Sequence, residues 1–159
     1  MHHVIGLMSG TSLDGLDIAH CTFEQTDGSW SYRITQAETV TYPEEWLQRL
    51  PALMEASAFE LALADVELGH WTGKQVHQFI KKYQLVTDFI SSHGHTVFHQ
   101  PEKKLTLQIG KGSAIAAETG LSVINDFRVL DVALGGQGAP LAPIGDELLF
   151  SDYDICLNL

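Results

Sequence analysis

The 159-residue sequence predicts a mixed α/β fold, in which a mixed sheet opens with an antiparallel meander and carries helices on its faces. Three observations lead there. The first forty residues hold three extended apolar segments separated by turn signals, one long segment then has helical apolar spacing, and extended and helical pieces alternate after it. With 45% hydrophobic and 18% charged residues and a mean hydropathy of +0.03, the chain can bury one sizeable core.

Val4-Ile5-Gly6-Leu7-Met8 is a short apolar run stopped by Ser9-Gly10-Thr11-Ser12, hence a strand and a tight polar turn. A second strand fits Leu16 to Phe23. Asp27-Gly28 is a hairpin signal, and the Thr-, Ile- and aromatic-rich stretch from Trp30 to Tyr42 makes a third strand. Pro43 suits a helix's first turn, Glu44 and Glu45 suit its positive end, and Pro51 limits or splits that helix. Ser57-Ala58-Phe59-Glu60 has capping-box spacing, and Leu61, Leu68, Trp71, Val76 and Phe79 follow near helical periodicity. One helix from Ala58 to Tyr83, weakened at Gly69 and Gly73, is predicted.

Val86 to Ile90 then reads as a strand leading into the polar segment Ser91 to Thr96, and Leu105 to Ile109 as another extended piece. Gly112 to Glu118 is a short helix, Leu121 to Ile124 a buried strand and Ala142 to Phe150 a further helix. Asp154 to Leu159 reads as a core strand with no cap or polar tail behind it, and chains seldom stop there. Residues 1–152 are therefore expected to form a first lobe, with 153–159 the first strand of a second that lies outside the sequence.

Lys and Arg total 9 against 20 Asp and Glu, a net charge of −11, which excludes a generic nucleic-acid binder. No apolar run reaches the roughly 20 residues of a membrane span, and no targeting segment precedes Val4. Cys21 and Cys156 are expected to be reduced core thiols of a cytoplasmic protein.

Gly6-Leu7-Met8-Ser9-Gly10-Thr11-Ser12-Leu13-Asp14-Gly15-Leu16-Asp17 is dense in residues that let a backbone approach an anion. Leu16 and Asp17 stand where a P-loop needs Lys and Ser/Thr, so that motif is excluded. An ordinary hairpin turn and a phosphate cradle both remain open, the second needing a divalent cation between phosphate and the carboxylates of Asp14 and Asp17. His93, His95 and His99 could ligate a metal, since side chains two apart on a strand share a side, or could be solvated imidazoles of a turn. Asp126, Arg128 and Asp131 precede Gly135, Gly136 and Gly138, and Arg128 there could grip a carboxylate or hold the loop through an Arg-Asp pair. Lys103, Lys104 and Lys111 read as solvated loop charges, and Trp30, Trp46 and Trp71 as core.

The segment Gly6 to Asp17 resembles the signature of the anhydro-N-acetylmuramic acid kinase family, within the sugar kinase, heat-shock ATPase and actin superfamily. Ser92-His93-Gly94-His95-Thr96, with Gln100-Pro101 and Leu107-Gln108-Ile109-Gly110, resembles the family's Ser-His-Gly-Gln-Thr block, His95 replacing its Gln. Asn125 to Arg128, with Asp131 and Gly135 to Leu141, resembles its substrate-cleft segment, whereas Met8 stands where much of the superfamily has Asp.

The resemblance implies the first lobe of an actin-like ATPase (ribonuclease H-like) fold. It implies that Gly10, Thr11, Ser12, Leu13, Asp14, Gly15, Leu16 and Asp17 surround ATP, with Asp14 and Asp17 reaching Mg²⁺ directly or through water. His93, Thr96, Asp126, Arg128, Asp131 and Gly136 would line a sugar site. The whole protein would be a homodimeric kinase that uses ATP and water to convert 1,6-anhydro-N-acetylmuramic acid to N-acetylmuramic acid 6-phosphate in cell-wall recycling. The family's catalytic base lies in a Gly-Phe-Asp-Thr-Gly-Pro-Gly-Asn type of motif that this chain lacks, so the catalytic residue is unassigned and the chain alone is expected to be inactive. The competing expectations are a non-catalytic sugar- or nucleotide-binding lobe and a histidine-dependent metallohydrolase.

Overall fold

In the computed structural model, which describes residues 1–156, three strands form the meander: β1 (His2–Ser9), β2 (Leu16–Thr26) and β3 (Ser29–Val40). The β2–β3 turn places both Asp27 and Gly28 at positive φ, as a two-residue hairpin of matching twist requires. Helix α1 (Glu44–Ala52) follows Pro43, and Pro51 ends it by tightening the chain into a 3-10 turn over Leu53–Glu55.

Helix α2 (Ala58–Tyr83) has the predicted bounds and the full capping box: Ser57 Oγ accepts from Glu60 N–H while Glu60 accepts from Ser57 N–H. Such a cap contributes about 1 kcal/mol. The helix buries Ala64, Leu68, Thr72, Val76 and Phe79, and Phe79 and Val76 pack with Ile5, Leu7, Leu16, Ile18, Ile90 and Ile115. Gly69 and Gly73 are close-approach points rather than weak ones. A Cβ at Gly69 would sit 2.6 Å from the Lys111 carbonyl, and one at Gly73 2.7 Å from Glu118 Cβ, so helix α3 (Gly112–Thr119) docks only because both are glycines.

After α2 the chain enters β4 (Phe89–Gln100), then β5 (Leu105–Ile109), α3, β6 (Ser122–Ile124), α4 (Val129–Ala133) and α5 (Ala142–Leu149). The main sheet order is β3-β2-β1-β4-β5; β4 runs parallel to β1 and β6 and antiparallel to β5. This is the expected mixed sheet with helices on its faces.

Several local expectations are corrected: the strand expected from Val86 begins only at Phe89, and the strand expected to be buried over Leu121 to Ile124 leaves Ser122 and Ile124 exposed. The polar segment Ser91 to Thr96 is not a turn after a strand but the middle of β4, because the neighbouring β1 and β5 supply backbone partners on both sides. The short helix α4 was absent from the sequence reading; five residues among glycines carry too little periodicity to declare it. Cys21 is half-buried in β2, with burial pushing its thiol pKa up, whereas Cys156 is exposed rather than in a core strand. Residues 153–156 are exposed and outside any strand, and 157–159, where the expected strand continues, lie outside the described residues. Among the described residues no helix is long and apolar enough to cross a membrane.

Candidate functional site

Strand β4 builds the floor of the site by breaking its own alternation twice. Relative to β1, the chain moves from Ser92 to His95 while β1 moves only from Leu7 to Ser9. Relative to β5, it moves from Thr96 to Phe98 while β5 moves from Gln108 to Leu107. Each step inserts one extra residue, and such bulges re-aim side chains. Gly94 makes the first possible: its φ is +75°, and a Cβ there would lie 2.7 Å from the Ile109 carbonyl oxygen. The result is a three-residue spacing on one side, with His93, Thr96 and His99 all lining one cleft. His95 lies on the other side, 4% exposed.

That geometry overturns the same-side expectation for His93 and His95, which assumed unbroken strand periodicity. The three imidazoles have separate partners: His93 Nε2 accepts from Arg128 Nε at 3.0 Å, His95 Nδ1 lies 3.1 Å from Ser9 Oγ, and His99 Nδ1 lies 3.1 Å from Thr106 Oγ1. Among the described residues no cluster of three or more His, Cys, Asp and Glu gathers to hold a metal.

The first rim is the β1–β2 hairpin. Leu13 N–H donates to the Gly10 carbonyl at 3.3 Å, and Leu13 holds φ +58° because its side chain packs on the cluster around Tyr42 and Trp46. Gly15 has φ +151° with the Val40 carbonyl so near that a Cβ would approach to 2.7 Å. Met8, Ser9, Gly10 and Thr11 line the cleft. Ser12 Oγ donates to Asp14 Oδ1 at 2.8 Å, and Thr39 Oγ1 donates to Asp17 Oδ1 at 2.6 Å. Leu16 is in the core, 2% exposed, so only its backbone is available to a ligand.

Asp14 and Asp17 are both exposed on this rim, and their charges, after burial, hold the Tyr42 phenol above its ordinary range. Two exposed carboxylates on one rim, each with one oxygen already accepting from a hydroxyl, fit Mg²⁺, which retains water ligands and takes the rest of its oxygens from phosphates. They could hold that ion; they do not form a closed protein cage.

The second rim is the segment after β6. Arg128 reaches back to His93 and donates through Nη1 to the Gly138 carbonyl at 2.5 Å, while Gly138 N–H donates to Asp131 Oδ2 at 2.7 Å. Arg128 and Asp131 therefore grip the two sides of residue 138 instead of pairing with each other as the ion-pair alternative supposed. Gly136 N–H donates to the Asp131 carbonyl at 2.8 Å, and a Cβ at Gly136 would collide with the Asp131 carboxylate. Asp126, exposed and at φ +63°, borders a separate small pocket of about 10 Å³ that also touches His93, not the cleft itself. Of the six sugar-site expectations, His93, Thr96 and Arg128 line the cleft; Asp131 and Gly136 brace its rim.

The cleft between the rims is about 350 Å³, within the usual size of a small-molecule site. Its lining carries one permanent charge, the Arg128 guanidinium, in a chain of net charge −11, so it favours an anionic or polyhydroxyl ligand over a cation. Burial lowers the His93 pKa, and Arg128 lowers it further against the raising effect of the Gly94 carbonyl contact. With Nδ1 at 2.8 Å from that carbonyl and Nε2 accepting from Arg128, His93 is a neutral ring with both nitrogens engaged. Thr96 Oγ1 accepts from Gln108 Nε2 at 3.3 Å and keeps its own hydrogen to donate into the cleft.

Sequence reasoning missed Ser9, Tyr42 and the role of His99 as a lining residue. The readable signal was Gly94, since a lone glycine inside a strand pattern marks a bulge and hence a changed facing.

The family model described as anhydro-N-acetylmuramic acid kinase matches residues 2–158. A relative of that name from Pseudoalteromonas translucida is 38% identical over 173 aligned residues, covering 98% of this chain and 43% of the relative. Another from Paramagnetospirillum magneticum is 41% identical over 170, covering 98% and 43%, and one from Pseudomonas putida is 40% identical over 153, covering 92% and 41%. The chain thus spans about two fifths of the length of the curated relatives it matches. Among solved structures, Thermus thermophilus RuvC covers 93% of this chain and 80% of its own at a TM-score of 0.45 and 16% identity. The glycine-rich hairpin, the bulged β4 block and the Arg128 loop therefore occur together in a chain that belongs to the anhydro-N-acetylmuramic acid kinase family.

Proposed function

We propose that the protein containing this chain is an ATP-dependent sugar kinase. It would take 1,6-anhydro-N-acetylmuramic acid, ATP and water to N-acetylmuramic acid 6-phosphate and ADP, in the cytoplasm, as a step of cell-wall recycling. The bond between C1 and O6 breaks, water supplies the hydroxyl at C1, and O6 receives the phosphoryl group. The observation that carries the reading is the single cleft in which the Gly10–Thr11 hairpin tip faces His93, Thr96 and Arg128. A phosphate on the first rim would lie beside a sugar on the second, and phosphoryl transfer is mostly a matter of such positioning.

Within this chain, the Gly10 and Thr11 backbone and the Thr11 hydroxyl would receive the terminal phosphates, since tight-turn amides make a concave anion site. Asp14 and Asp17 would hold Mg²⁺ through water, and the ion would offset phosphate charge. Thr96 would donate to a sugar hydroxyl, and the part of the Arg128 guanidinium not used on His93 and Gly138 would face the lactyl carboxylate. None of these residues is assigned the role of activating water, and the 159-residue polypeptide alone is expected to release no sugar-dependent ADP.

The test is the product mass when the intact gene product meets ATP, Mg²⁺ and the anhydro sugar. A gain of one phosphoryl group and one water supports the reading. A gain of phosphoryl alone removes the hydrolytic half, and no change leaves a sugar- or nucleotide-binding lobe.

A further inference from the structure

Ser9, Tyr42 and His95 form a buried polar chain behind the hairpin that the ligand contacts above do not use. Ser9 Oγ lies 2.5 Å from Tyr42 Oη and 3.1 Å from His95 Nδ1. The three residues are 5%, 3% and 4% exposed and come from the end of β1, the segment after β3 and the middle of β4. They face a narrow cavity of about 10 Å³ shared with Thr72 and Ser92. That is room for about one water at most, so no ligand group enters it.

His95 therefore has no route to a ligand, yet it sits at a critical joint. Ser9 is the last residue of β1 and pairs directly with His95 just beyond the bulge. Ser9 itself borders the cleft, together with the next two residues, Gly10 and Thr11, whereas His95 and Tyr42 do not. Whatever fixes Ser9 fixes where the hairpin tip starts. A buried hydroxyl left without its partner is costly, so the chain has one preferred arrangement.

We infer that His95 is a positioning residue: acting through Ser9 and Tyr42, it sets the place of the Gly10–Thr11 backbone against the phosphate side of the cleft without touching any ligand. This rests on the phosphate reading of that rim and goes beyond it by assigning a role to a residue outside the cleft. Burial, with His93 nearby, lowers the His95 pKa, which is consistent with a neutral ring sharing one hydrogen with Ser9. A glutamine, the residue that the resembling family block carries, also offers both a donor and an acceptor and is the conservative replacement.

The experiment is amide hydrogen exchange, with initial rates alongside, on the intact gene product as wild type, H95L, H95Q and S9A. In H95L and S9A, exchange across residues 7–17 is expected to rise about tenfold, with peptides of α2 unchanged. The ATP KM should rise about tenfold in the same two variants, the sugar KM should hold within about twofold, and H95Q should restore both. Equal acceleration in α2, a sugar KM that moves alone, or H95Q as damaging as H95L would overturn the inference. If H95L does not fold, S9A decides, because it removes a single hydroxyl; unchanged exchange at 7–17 in S9A overturns the claim. A wild type that forms no phosphorylated sugar defeats the kinase reading, while the exchange pattern still rules on His95.

Discussion

The hairpin rim and the loop rim face each other across one cleft but are held by different forces. Residues 9–17 are anchored from behind, by Leu16 in the core, Leu13 against the Tyr42 cluster and the buried chain through Ser9 and His95. Residues 126–139 are anchored mainly by polar contacts on a more exposed surface, those of Arg128 and Asp131, with Val132 as their one fully buried apolar anchor. Burial gives a rim that opens only when the core does, and hydrogen bonds near solvent give one that can open locally. On the proposed reading, in which the first rim holds phosphate and the second admits and releases a sugar, each rim has the anchoring its task needs.

The sharpest way to break the comparison is at the bulge, where both rims depend on one residue. Gly94→Ala would force an alanine into φ +75° with its Cβ 2.7 Å from the Ile109 carbonyl. A loss of about 3 kcal/mol in urea unfolding is expected. A loss below about 1 kcal/mol would mean that β4 can shed the bulge, and then His93 and Thr96 would not share a side.

Arg128→Ala should separate the rims. It removes the bond to His93 and the bond to Gly138 in one step, so the loop loses its link to β4 while the hairpin keeps every contact named for it. The expected result is a fall of about a hundredfold in kcat/KM for the sugar with the ATP KM nearly unchanged. Equal damage to both would show that the two rims are one cooperative unit.

Much of this architecture was legible from residue patterns, and the reason is local. The Ser57–Glu60 box, the Asp27-Gly28 turn and the α2 periodicity each carry their cause within a few residues, and each holds in the structure. What was not legible depends on register between strands distant in sequence. His93 and His95 look equivalent in β4 until the pairing with β1 shows an inserted residue between them. Gly69 and Gly73 look like helix weakness until α3 arrives over them. Arg128 and Asp131 look like a pair until both are seen to grip residue 138.

A milder prediction concerns the hairpin's charge. Asp17→Asn keeps an Oδ1 acceptor for the Thr39 hydroxyl, so the strand pairing should survive while one negative charge is lost. About a tenfold rise in the Mg²⁺ concentration needed for half-maximal rate is expected, with sugar affinity unaltered. An unchanged Mg²⁺ requirement would remove Asp17 from the metal role.

The smallest effect, and the one that reads the loop rim directly, is its response to acid. Burial lowers the His93 pKa from the ordinary 6.5, and Arg128 adds to the lowering. The unfolded chain therefore binds this proton at a higher pH than the folded one does. The stabilising contribution is complete above 6.5 and is lost as pH falls through the lower folded value. The reason is structural: a proton on Nε2 removes the acceptor that Arg128 uses and sets two cations side by side. Between about pH 7 and about pH 5, protection in the loop rim, corrected for the intrinsic slowing of amide exchange toward acid, should fall about threefold, and Arg128→Ala should weaken that dependence while leaving the part due to burial. Ring-nitrogen shifts give the independent check: a His93 that titrates at or above 6.5 would mean that the ring is not held buried beside Arg128 in solution. His95 is also lowered by burial, so the hairpin rim must be followed in the same titration. Loosening confined to residues 126–139 would confirm that the two rims respond to protons separately, as their different anchoring requires.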